Sequence, residues 1–213
     1  MPPHSLQFPE KLVPVWTDFY NNYKNAVLGS GLKDDTFVAE VQASIADRVL
    51  HQFMDPYEFP SYHTRITEPY DYFEFGQRYV GALINFDTSL VGGEDRLKTI
   101  AEQLKAGENV ILMANHQTEA DPAVWAHMTM AIDSHLAEQV IYVAGDRVVD
   151  DAMCKPFSMG RNLLCVHSKK HMFDDPDKVQ AKQKQNRRVR GAAAPKGSWQ
   201  ETRGPARRAR PRG

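Results

Sequence analysis

Cysteine is scarce: Cys154 and Cys165 are the only two in 213 residues. Two thiols cannot build the multi-bridge framework of a small secreted scaffold, and their wide separation does not match a zinc pair. The expectation is two buried thiols in a reducing compartment. Long apolar runs are missing as well. None approaches the roughly 18 residues that would cross a bilayer, so no transmembrane segment is expected. The opening MPPHSLQFPEKLVPVW has no basic stretch leading into an apolar core. It also lacks the Ser- and Arg-rich, acid-poor character of a transit peptide, so any targeting segment is read as cleaved or absent. No internal repeat and no H-E-x-x-H or H-x-H pattern occurs, which argues against solenoids and helix-borne zinc hydrolases. No metal and no cofactor is expected.

What is present reads as an ordinary globular chain, with 42% apolar and 25% charged residues, long enough for one sizeable core or a small domain joined to a medium one. The net charge of −1 conceals an asymmetry. From Arg187 onward nine basic residues face one acidic residue, while residues 1–186 hold 17 basic and 26 acidic. An acidic body thus carries a basic tail. Its last part, VRGAAAPKGSWQETRGPARRARPRG (189–213), has almost nothing to bury and is expected to be disordered. A run such as RRARPR suits phosphate contacts, yet Trp199 is its only aromatic residue and no nucleic-acid fold accompanies it, so no nucleic-acid partner is expected.

The first hundred residues carry helical patterns. One helix is read from about Glu10 to Leu28, ending at GSG. A second places Phe37, Val38, Val41, Ile45, Val49 and Phe53 on one stripe behind the possible caps Asp34 and Asp35. The Pro-rich DPYEFPSYHTRITEP reads as a linker or surface loop, with a domain boundary that separates 1–60 from 61–188. A buried aromatic helix is expected over YDYFEFGQRYVGALINF, and an amphipathic one over EDRLKTIAEQLKAGE with Leu97, Ile100 and Leu104 inward. Then the texture changes to short β-branched runs separated by helical or loop segments. Strands are expected near 109–114, 140–144 and 163–167, in an α/β layer with parallel strands covered on both faces.

After the first of these runs comes NHQTEADP. His116 and Asp121 are five residues apart: about 140° apart on a helix, and on opposite faces of a strand. A strand ending at Asn115, a tight turn, and a helix opening at Asp121-Pro122 would bring them together, with Asp as the cap and Pro in the first turn. Such a turn at the carboxyl end of a strand is a common ligand site, beside a positive helix end. An imidazole held by a carboxylate can take a proton from a hydroxyl, the base-and-orienter arrangement of acyl transfer. Two other readings stay open on spacing alone. One is a capping Asp beside an unrelated surface His. The other is a weak metal set of His116, Glu119 and Asp121.

With these residues in view, NHQTEADP resembles the H-x4-D block of the glycerolipid acyltransferases, in the form of the soluble plastid-type glycerol-3-phosphate acyltransferases. YNNYKNAV, EPYDYFEFGQRYV, AGDRVVDDAMCKPFSMGRNLLCVHSKKHMFD and KQKQNRR are similar to that family in the same order, over most of 15–188. The resemblance implies an N-terminal helical bundle followed by an α/β acyltransferase domain. It also implies transfer of an acyl group from acyl carrier protein, or from coenzyme A, to the 1-hydroxyl of glycerol 3-phosphate in the plastid stroma. By that resemblance His116 is the general base, Asp121 its partner, and Lys170 and His171 hold the substrate phosphate. Without it, SKKH reads as a solvated loop. Arg147, Lys155 and Arg161 are further cations, suited either to anion contacts and docking of an acidic carrier or to ordinary surface charge.

The resemblance stops near Arg188, before a block whose two arginines complete the family's phosphate site. The expectation is a sheet with an exposed edge and apolar face, and little or no acyltransferase activity. Two competing readings are a non-catalytic product that at most binds acyl carrier protein, and a phosphate-ester hydrolase using the same His/Asp turn.

Overall fold

The computed structural model describes residues 10–192; the tail from 193 onward, including Trp199, lies outside the described residues. After a short 3-10 turn over Glu10–Leu12 come two long helices, α1 (Val13–Gly29) and α2 (Asp35–Met54). Asp34 caps α2 by accepting the Phe37 N–H at 2.9 Å, as the sequence suggests. Val38, Val41, Ile45 and Val49 are almost fully buried, but Phe53 is 44% exposed and Gln52 takes the next inward position. The cause is helical pitch. A constant four-residue step drifts about 40° each time, so the inward stripe must alternate threes and fours.

That stripe closes a core with Tyr23 and Val27 of α1 and with Phe75 and Ala82 from the third helical region. The aromatic helix α3 is shorter than its apolar sequence suggests, Tyr72–Gly81. Asp71 caps it, accepting from Phe73 and Glu74 N–H, and Tyr72, Phe73, Phe75, Gly76, Gln77 and Val80 are buried. Tyr79 stacks on Tyr23 with centroids 4.6 Å apart and also meets Phe157 at 5.2 Å. Burial pushes the Tyr79 phenol up to about 12.

The second half contains α4 (Glu94–Lys105), α5 (Asp121–Met130), α6 (Ser134–Gln139), β2 (Ile141–Ala144), α7 (Asp146–Asp150), α8 (Lys155–Met159), β3 (Asn162–Cys165) and α9 (Val179–Ala192). Leu97 of α4 is buried, as its pattern predicts. Strands near 140–144 and 163–167 are present as β2 and β3, which pair in parallel from Ile141↔Asn162 to Ala144↔Cys165. A third strand, β1 (Tyr62–His63), comes from the segment read as linker and pairs antiparallel with β3. The sheet is therefore mixed, in the order β1-β3-β2. It is also open on one side: Val143 is 70% exposed, so the sheet shows the exposed apolar face expected where the resemblance stops and not the two covered faces read from its strands alone.

The strand expected at 109–114 is absent. Residues 108–118 have no regular structure, and Ile111 and Met113 are 86% and 93% exposed. At the other end, 189–192 belong to α9 rather than to the disordered tail that the sequence suggests, and Val189 is buried. Cys165 is buried and Cys154 half-buried, and burial pushes each thiol up to about 11. Thiolates are therefore disfavoured at both. No helix among the described residues is long and apolar enough to cross a membrane.

Gly160, just after α8, packs directly on the backbone at the start of α3. A Cβ there would lie 2.3 Å from the Tyr72 carbonyl oxygen and 2.7 Å from the Phe73 nitrogen. Both neighbours are backbone and cannot move aside cheaply. Gly160→Ala is expected to destabilise the protein by about 3 kcal/mol or more through forced separation of α3 and α8, read as a lowered urea midpoint. An unchanged midpoint would contradict this packing.

Candidate active site

The H-x4-D turn closes by the use of one carboxylate. Asp121 is the first residue of α5, with Ala120 at the cap position, so it does not cap the helix as the sequence suggests. Its side chain turns back instead. Oδ2 accepts the Gln117 N–H at 2.8 Å and Oδ1 the Thr118 N–H at 3.2 Å. His116 Nδ1 lies 2.7 Å from the same Oδ2. The Thr118 hydroxyl tightens the turn by accepting the Ala120 N–H at 3.2 Å. Pro122 then continues α5 where a missing N–H costs nothing.

The electrostatics follow from these donors. Desolvation pushes the Asp121 carboxyl up, but the Gln117 N–H, the His116 ring and the Thr118 N–H outweigh it and hold the group below the usual aspartate range. A carboxylate at Nδ1 favours the tautomer with its proton on that nitrogen and leaves Nε2 free to accept one. The His116 side chain is 69% exposed and that of Asp121 33%. The base is thus held from one side and open to solvent on the other.

The turn stands on α5, and α5 is fixed by α3. Gln77 Nε2 donates to the Ala123 carbonyl at 3.2 Å, and His127 Nε2 donates to the Gln77 carbonyl at 3.0 Å. Arg161 donates to Gln77 Oε1. Sequence reasoning missed Gln77, although a lone amide inside the aromatic FEFGQRYV is itself a signal: a buried polar residue needs partners. Between the first turn of α4, Leu112 and the α5 residues Trp125 and Met128 lies an open groove of about 560 Å³.

The other predicted residues divide. Lys170 is exposed in a 3-10 turn, Lys169–His171, whose opening residue Ser168 accepts the Lys170 N–H at 3.1 Å. His171 lies in that turn. Glu119 faces Arg147, Oε1 to Nη1 3.5 Å, so it is not gathered with His116 and Asp121 into a metal set. No group of three metal-ligating side chains occurs among the described residues. Lys155 Nζ donates to the Tyr57 carbonyl at 2.9 Å. Arg161 fits neither reading made from sequence. It is only 7% exposed, stacks on Phe73 at 4.7 Å, and burial lowers its guanidinium to about 10.

Two family models match this chain: "Glycerol-3-phosphate acyltransferase N-terminal" over residues 4–57 and "Acyltransferase" over 96–194. The second contains the whole His116–Asp121 turn. The chain is 47% identical to the chloroplastic glycerol-3-phosphate acyltransferase of Spinacia oleracea over 183 residues, 85% of this chain and 39% of that protein. It is 47% identical over 183 residues to the chloroplastic glycerol-3-phosphate acyltransferase ATS11 of Cucurbita moschata, 85% of this chain and 41% of that protein. For the chloroplastic enzyme of Pisum sativum the identity is 45% over 183 residues, 85% of this chain and 40% of that protein. The chain thus spans about two fifths of the length of the curated relatives it matches. The first model lies on the helical N-terminal half and the second on the mixed α/β half, so the chain carries both a glycerol-3-phosphate acyltransferase N-terminal domain and an acyltransferase domain.

Proposed function

We propose that this chain carries the base and the substrate cation of a glycerol-3-phosphate 1-O-acyltransferase, with His116 as general base, Asp121 as its orienter, and Lys170 and His171 as contacts to the substrate phosphate. The single observation that carries the reading is the 2.7 Å bond from His116 Nδ1 to an Asp121 carboxylate that also accepts two backbone N–H groups. In the reaction His116 Nε2 takes the proton of the 1-hydroxyl as that oxygen attacks the thioester carbonyl. The carboxylate stabilises the imidazolium that forms. Collapse of the tetrahedral intermediate breaks the C–S bond, and the imidazolium returns its proton to the departing thiolate. The acyl donor is acyl carrier protein or coenzyme A in thioester linkage. Exposed Ile111 and Met113, with the groove beside Leu112 and Trp125, offer apolar surface to an acyl chain. The relatives' chloroplastic names support the plastid stroma as the compartment.

The exposure of His116 favours a second element of the reading. Acyl-transfer sites exclude water to protect the intermediate and strengthen their electrostatics, and this base is 69% exposed. The chain is therefore expected to transfer slowly and to lose part of the thioester to hydrolysis. A chain that only binds acyl carrier protein would consume no thioester, and a phosphate-ester hydrolase would release inorganic phosphate.

His116→Ala is expected to lower glycerol-3-phosphate-dependent consumption of an acyl thioester by about 10²-fold or more, and Asp121→Asn by a similar factor. An unchanged rate in His116→Ala, or phosphate release that depends on His116, would overturn the assignment. Lys170→Ala is expected to raise KM for glycerol 3-phosphate about tenfold with a smaller change in kcat, because the cation binds a group present in both ground and transition states. Acid provides a third check. A depressed carboxylate contributes stability that is present above its unfolded value of about 3.9 and lost as pH falls through its folded value. The Gln117 and Thr118 amides should therefore remain protected from exchange at pH 5, whereas their loss at that pH would contradict the bonding described.

A further inference from the structure

A second histidine–aspartate couple stands at the carboxyl end of the sheet. Because β2 and β3 run parallel with Ala144 beside Cys165, the residues just beyond them emerge next to each other. Asp146 follows β2 and opens α7, and His167 follows β3. His167 Nδ1 bonds to Asp146 Oδ1. Its Nε2 faces Gln185 Oε1 at 2.9 Å. The backbone of His167 is held as well: its N–H donates to Asn186 Oδ1 at 2.8 Å and its carbonyl accepts from Asn186 Nδ2 at 2.9 Å. The two side chains are only 15% and 18% exposed.

This couple lacks the geometry of a second base. The ring nitrogen that would have to accept a proton already meets Gln185, so both nitrogens are spent on fixing the ring. What the couple fixes is the start of the segment 167–171, whose next residue, Ser168, accepts the Lys170 N–H. The neighbour of Asp146, Arg147, reaches Glu119 inside the H-x4-D turn at 3.5 Å. Two adjacent residues of α7 thus contact both loops of the proposed site.

We infer that Asp146 and His167 are positioning residues that hold the Lys170 turn at the carboxyl end of the β2–β3 pair, with Arg147 bracing the His116 turn on the other side. The inference rests on the assignment of Lys170 to the substrate phosphate. Asp146 carries most of the effect, because its bond is shielded from solvent whereas the Arg147–Glu119 pair is exposed and weak. An amide in place of the carboxylate keeps the shape and loses the charge-assisted bond. The loop bearing Lys170 then loosens without loss of the core.

The test uses the full chain in four forms: unaltered, Asp146→Asn, Asp146→Glu and Lys170→Ala. Amide hydrogen exchange at Lys170 and affinity for glycerol 3-phosphate by NMR titration are the readouts. Asp146→Asn is expected to speed Lys170 exchange and to weaken glycerol 3-phosphate about tenfold, with exchange in α1 and α2 unchanged. Asp146→Glu should recover part of both effects. Unaltered Lys170 exchange in Asp146→Asn overturns the inference, and so does unaltered affinity when Lys170→Ala does weaken binding. Normal binding by Lys170→Ala would instead remove the phosphate assignment and leave the exchange result to decide the positioning role. Faster exchange throughout α1 and α2 would mark Asp146 as a global stability residue and also overturn it.

Discussion

The site depends on one buried amide. Gln77 donates to the Ala123 carbonyl, accepts from Arg161, and offers its own carbonyl to His127. It is 6% exposed, so its amide bonds are made away from competing water, and loss of the side chain would strand the Ala123 carbonyl and the Arg161 guanidinium together. Through it α3 sets the position of α5, and the first residue of α5 is Asp121. The orientation of His116 is therefore inherited from a helix more than thirty residues earlier, packed in turn on the α1–α2 core.

Much of the helical half is legible in the sequence because its signals are local. Asp34 and the Val38–Val49 stripe, the aromatic residues of α3, and Leu97 in α4 each combine a cap or a period with burial. The misses have equally local causes. Phe53 follows a rigid four-residue step that helical pitch does not keep. Asp121 has the composition of a cap, yet its carboxylate finds better donors in the preceding turn. The pairing of His116 with Asp121 follows from their spacing only once a tight turn is assumed, and the turn is held by backbone N–H groups that no sequence displays.

The stretch 109–114 shows where such reasoning ends. Its β-branched, apolar composition fits a strand, but a strand is a pairing and not a composition. β2 pairs only with β3 in the sheet order, and Ile111 and Met113 face solvent. β1 is the converse case: two residues in a Pro-rich segment become a strand because β3 offers an edge. His63 is held there by the Met159 carbonyl and the Tyr57 hydroxyl, and burial lowers its imidazole below the usual range.

The central claim is that Asp121 holds His116 with Nδ1 protonated, so that Nε2 is the base. The direct measurement is the ¹⁵N spectrum of the His116 ring in its neutral form. The account predicts a proton on Nδ1, coupled to a bonded carboxylate, and an unprotonated Nε2, with that preference lost in Asp121→Asn. A neutral ring with its proton on Nε2, or a tautomer unaffected by Asp121→Asn, would contradict it.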